Sequence, residues 1–110
     1  MAEKLCNLRK YGGGSSEPST LTNVKASVND LASLDETFSV SAGDIFVFAI
    51  RTDSTGNNNL SFTGATVLSK SVTIGQTYAG YLVMCLIKTT SSTLRIQCSY
   101  MNLYNLSKLT

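Results

Sequence analysis

Histidine and tryptophan are absent from this 110-residue sequence, and proline occurs once. Without histidine the chain lacks the usual general base near neutral pH and the commonest transition-metal ligand, so most hydrolase mechanisms would need an unusual substitute. Without tryptophan it lacks the flat platform on which sugars usually stack. Charge is scarce too: 15% of the residues are charged and the formal net charge is +2. Lys25, Arg51, Lys70, Lys88 and Arg95 are scattered as solvated strand ends, not gathered into the basic stripe that nucleic acid needs, so no nucleic-acid partner is expected.

Cysteine is limited to Cys6, Cys85 and Cys98, which cannot all pair within one chain. A hairpin through residues 89–92 would set Cys85 opposite Ile96 and Cys98 opposite Val83, a poor placement for a bridge. Both are expected as buried free thiols in a protein assembled in a reducing cytoplasm. Long apolar runs are missing as well. The longest, residues 81–87, is far too short to span a bilayer, and residues 1–10 lack the apolar centre of a signal peptide. The expectation is a product with no membrane partner, made in the cytoplasm and leaving the cell only by lysis or as part of a particle.

The motifs of bond-breaking chemistry are also missing. There is no Gly-x-Ser-x-Gly elbow, Walker loop, dinucleotide fingerprint or paired-cysteine metal spacing. No cofactor, metal or catalytic residue is therefore expected. Asp44 sits at a turn where its carboxylate caps a backbone amide, and Asp53 lies in a loop, so the two make no evident glycosidase pair. An enzyme is the minority reading.

What the chain does have is strand patterning at a length that suits one domain. Residues 45–50, I-F-V-F-A-I, are apolar without a break and rich in β-branched and aromatic types, as a centrally placed strand requires. Ile45, Val47 and Ala49 then face one way and Phe46, Phe48 and Ile50 the other. Residues 78–88 hold a second such strand. Residues 93–100 alternate cleanly, with Leu94, Ile96, Cys98 and Tyr100 inward and Arg95, Gln97 and Ser99 outward. Val24, Ala26 and Val28 alternate in a first strand over residues 21–28, and Phe38, Val40 and Ala42 in another over residues 37–42. Residues 29–36 read as turn-rich, with room for one helical turn capped by Asn29 or Asp30.

The intervening pieces read as joints and edges. Gly43-Asp44 marks a tight turn or bulge. Leu60 and Phe62 sit in a short strand ended by Gly64. Residues 65–74 read as two half-strands or an edge, and residues 75–77 as a turn. Met101, Leu103, Tyr104 and Leu106 break the alternation of the strand before them and suggest a last edge strand or a tail lying on a partner. The sum is all-β: an antiparallel β-sandwich of jelly-roll or Greek-key type over residues 21–110.

Two segments stand out as candidate contact sites. Residues 1–20 form an N-terminal arm with a Gly12-Gly13-Gly14-Ser15-Ser16 hinge, in which Leu5, Leu8 and Tyr11 would seat the arm on something else, since so short a helix is marginal alone. Residues 52–59, T-D-S-T-G-N-N-N, form the most polar loop. Asp53, Asn57, Asn58 and Asn59 are its candidate ligand residues, although the acidic ladder of a calcium loop is missing. Tyr78, Tyr81, Tyr100 and Tyr104 would have to replace tryptophan in stacking a glycan.

The arm M-A-E-K-L-C-N-L-R-K-Y, the G-G-G-S-S hinge and a body with V-S-A-G-D-I-F-V-F and A-G-Y-L-V-M-C-L-I-K together resemble small tailed-bacteriophage virion proteins. These include head decoration, head-fibre and tail-fibre modules, in which an arm fixes the chain to the particle and a β-sandwich faces out. The resemblance implies a non-enzymatic virion structural protein, a capsid-decorating or head-surface protein whose partners are other capsid or tail proteins. Its alternative is a carbohydrate- or receptor-binding module of a tail fibre, with a surface glycan as partner. The doubly apolar strands further predict a homo-oligomer, with a trimer as the favoured form.

Overall fold

A computed structural model describes residues 20–74 and 80–110, leaving out the side chains of 29–31. The elements are strands β1 (Leu21–Ser39), β2 (Ile45–Thr52), β3 (Ser61–Thr63), β4 (Ala65–Ile74), β5 (Tyr81–Thr89) and β6 (Thr93–Leu109), with one short helix, α1 (Ser54–Asn59), between β2 and β3. The all-β, antiparallel expectation holds: every strand pairing is antiparallel, in a single hydrogen-bonded sheet of order β1-β6-β2-β5-β4, with β3 added on β6.

The sheet doubles over. Lys25 and Glu36 both belong to β1, and eleven residues of straight strand would span about 36 Å, yet the Lys25 ammonium donates to Glu36 Oε1 at 2.9 Å. The register of β1 against β6 slips between Val28 and Ala32 and again before Leu34. Bulges of this kind bend a strand and increase its local twist. The partner β6 bends with it: buried positions run Leu94, Ile96, Cys98, then shift phase to Met101, then to Tyr104 and Leu106. One half of the β1–β6 ribbon carries β3, and the other half carries β2, β5 and β4.

The two halves meet across a shared core. Phe48 of β2 and Phe62 of β3 are not sheet neighbours, but their rings touch edge to face, with centroids 5.6 Å apart at 88°. Phe48, Ile50, Val83, Ile87, Leu94 and Leu106 are fully buried around them. Each such side chain contributes on the order of 1.5–3 kcal/mol through its removal from water. β2 alternates as its sequence requires, with Phe46, Phe48 and Ile50 buried and Ile45, Val47 and Ala49 half-buried.

Two corners make the doubling possible. At the β1–β2 turn, Gly43 takes φ 94°, and the Ser41 amide donates to Asp44 Oδ2 at 3.1 Å, the capping role that Asp44 was expected to play. Buried Thr89 holds the same turn, its hydroxyl donating to Ser41 O at 2.6 Å while accepting from the Asp44 amide at 2.9 Å. At Gly64, φ is 89° and a Cβ would collide with the Thr93 carbonyl. Only glycine fits there without strain, and the chain passes from β3 in one half to β4 in the other.

Several expectations are corrected. Residues 29–36 do not form a capped helical turn: β1 runs through them as bulged strand. Ala42 is exposed, since β1 ends at Ser39. β5 and β6 form no hairpin: β5 pairs with β2 and β4. The Thr90 amide donates to Gly64 O at 2.8 Å and the Val40 amide to Ser92 O at 2.9 Å, so residues 90–92 arch from one half of the sheet to the other. Cys85 therefore lies opposite Phe48 and Lys70, and Cys98 opposite Leu34; both are buried free thiols, as expected. Residues 101–109 are neither an edge nor a tail but the centre of the sheet, between β1 and β2. The expected turn at 75–77, Tyr78, and the whole arm with Leu5, Cys6, Leu8 and Tyr11 lie outside the described residues.

Candidate functional site

The polar stretch that sequence reading treats as an exposed loop is a capped helical turn. Asp53 is extended at its N-cap and accepts from the Gly56 amide at 2.7 Å, and the Asn57 amide donates to Asp53 O at 2.9 Å. An aspartate followed three residues later by a free amide is the ordinary N-cap arrangement. Gly56 is buried against Thr52 and Cys98, where a Cβ would not fit. The Cys98 thiol lies 3.3 Å from Gly56 O and 3.2 Å from Tyr100 O, and the Thr52 hydroxyl donates to Tyr100 O at 2.6 Å. α1 is thus fastened down over the bend of β6.

The four candidate ligand residues are brought together, but most of their polar groups are already engaged. Asp53 caps the helix. Asn59 Oδ1 accepts from the Ser99 amide at 3.0 Å. Asn57 lends its carbonyl to the Lys70 ammonium at 3.3 Å, while its side-chain oxygen is buried without a hydrogen-bond partner among the described residues. Asn58 is exposed. Among the described tyrosines, Tyr104 is buried and Tyr81 and Tyr100 are half-buried.

Beside α1 runs an open polar groove of about 360 Å³, lined by Ser33, Asp35, Asn59, Ser61, Gln97 and Ser99. Its one carboxylate is paired: Arg95 donates Nε to Asp35 Oδ1 at 2.9 Å and Nη2 to Oδ2 at 2.8 Å. That two-pronged bond holds the Asp35 carboxyl below its ordinary pKa and raises that of Arg95. Hydroxyls and amides remain, groups that can hydrogen-bond a polar surface. No group of three or more His, Cys, Asp or Glu side chains able to hold a metal occurs among the described residues.

Sequence reading leaves residues 65–74 as two half-strands or an edge, and the structure makes them an edge strand, β4, with a bulge. It pairs with β5 along one edge and ends the sheet on the other. Directly paired residues share a face, so Ala65 and Val67 point to the side of Thr89 and Ile87, the core side. One extra residue, Leu68, then interrupts the register. After it Lys70, Val72 and Ile74 pair with Cys85, Val83 and Tyr81, and so point to the core side as well. Had the strand continued without the bulge, Ser69, Ser71 and Thr73 would occupy that face and the apolar pair the other. The period-two reading saw two half-strands because the phase changes at Leu68.

On β5 this face is closed, with Val83 and Ile87 at 0% exposure. On β4 it is open: Val67 is 44% exposed, Val72 40% and Ile74 58%. The core ends one strand short of the sheet. Comparison with protein-family models, with curated proteins and with solved structures finds no match.

Proposed function

We propose that this chain is a non-enzymatic structural protein that works by surface contact, a capsid-decorating or head-surface protein of a virion, held to the particle by its N-terminal arm. The observation that carries the reading is the distribution of exposed apolar side chains. Leu21, Val24 and Val28 lie on β1, and Val67, Leu68, Val72 and Ile74 on β4, two of the strands that end the sheet among the described residues; Met84 of β5 is exposed as well. Exposed apolar residues gathered on free edges mark association, whereas scattered ones need no explanation. Of the polar residues that might have held a small ligand, Asp53 and Asn59 are occupied in fastening α1. The layout of arm, glycine hinge and β body adds the particle.

The test is attachment. The chain should copurify with particles at a fixed copy number, and a variant lacking residues 1–14 should lose attachment while its body melts at the same temperature. Absence from particles, or attachment indifferent to the deletion, would overturn the reading. A carbohydrate- or receptor-binding module is the second reading, supported by the groove between Asn59 and Gln97. It predicts a glycan-array signal that Asn59→Ala and Gln97→Ala abolish.

A further inference from the structure

We propose that two copies of this chain associate through β4, which pairs antiparallel with itself about a two-fold axis at Val72. This rests on the assembly reading above and names its surface.

The chemistry of the partner follows from the edge itself. Along its outer side β4 offers backbone donors and acceptors that no other element among the described residues takes, and another extended strand is what satisfies such a row. β4 contains no proline, its bulge at Leu68 leaves residues 70–74 in regular pairing, and its one charge, Lys70, is turned back onto the Asn57 carbonyl of its own molecule. β1, the other edge, bends back on itself and carries the exposed charges Lys25, Asp35 and Glu36. Residues 71–74, S-V-T-I, carry no charge that would reject a second copy.

Direction selects β4 against β4. Four antiparallel steps separate β1 from β4, so the two edges run parallel. Adding copies in one orientation, β4 onto β1, would therefore build the weaker parallel ladder, and such head-to-tail contacts close only if their rotation allows. A two-fold axis makes the β4 pair antiparallel by symmetry. The regular run after the bulge, residues 70–74, is centred on Val72. An axis there sets Val72 against Val72 and Lys70 against Ile74, whereas an axis at Lys70 would oppose two like charges and run the ladder through Leu68. Pairing at Val72 also places the two uncovered strips side by side as one continuous apolar band. A trimer, the form favoured from sequence, would need a different contact.

The test uses the full chain carrying Cys6→Ser, so that the remaining native thiols are buried. Sedimentation should give a dimer at micromolar concentration. Under mild oxidation Val72→Cys should cross-link it, and Thr66→Cys, before the bulge, should not. Val72→Lys, at a position already exposed, should raise the dimer Kd at least about tenfold, about 1.4 kcal/mol, with an unchanged circular dichroism spectrum. An oligomer in which Val72→Cys fails to cross-link and Val72→Lys has no effect overturns the β4 contact and leaves the assembly reading standing. A protein monomeric at all accessible concentrations overturns both.

Discussion

Asp53 illustrates how a residue that looks available for a ligand can be committed to the fold. Its carboxylate accepts the Gly56 amide at 2.7 Å, so Asp53→Ala removes an N-cap and should destabilise the protein by about 1 kcal/mol, within the range of roughly 0.5–2 for such losses. A urea titration would show it as a lowered midpoint at unchanged slope; an unchanged midpoint would return Asp53 to the pool of free polar groups. Asp35 gives a pH dependence of definite sign. Its pKa is lowered in the folded protein, first by the hydrogen bonds from Arg95. The unfolded chain therefore binds this proton more readily. Any stability the pair contributes is present above the unfolded-state pKa and is lost as pH falls through the folded one. The pair is exposed, so the effect on stability should be small. The direct measurement is the Asp35 carboxyl titration by NMR, whose midpoint should rise toward the ordinary aspartate value in Arg95→Gln. Tyr104 shows the opposite case, its pKa raised chiefly by burial, with the Lys25 charge pulling it back.

At the scale of elements, β2 and β5 are legible in the sequence because unbroken apolar runs of β-branched and aromatic residues have little choice but a covered strand. β6 is legible only to Cys98. Beyond it the phase shift that bends the strand hides its continuation, and the central Tyr104 and Leu106 read as a last edge strand or a tail. β1 is interrupted for the same reason, since its bulged middle is built from residues with turn chemistry. α1 is masked by glycine and asparagine, poor helix formers that a cap and a buried contact override. The short 90–92 connection imitates a hairpin, and only the bonds to Gly64 and Val40 reveal it as an arch. Of the candidate sites, the polar stretch is legible as a unit but not as a capped helix, and β4 is legible as an edge while the face its apolar residues take is not, because that depends on the bulge at Leu68. The fold-back of β1 is itself measurable. Spin labels at residues 25 and 36 should lie far closer than the about 36 Å of a straight strand. A distance near that value would refute the doubled sheet.

The described residues together measure 46 × 34 × 20 Å. The shortest axis has room for two β layers about 10 Å apart with their outer side chains. The two halves are held at the β1 flank by the Lys25–Glu36 pair, on the opposite flank by the passage through Gly64 from β3 to β4, and at the bend of β6 by α1. Along β4 the inner apolar face continues past the point where the core stops. That geometry suits a protein completed by a neighbour, and the central claim is that β4 is where the neighbour sits. Amide hydrogen exchange of the full chain across a concentration series tests this most directly. The account predicts that amides in residues 70–74 become protected as concentration rises, while those of β1 and of the buried β2 stay unchanged. Exchange in β4 that remains fast and independent of concentration would contradict it.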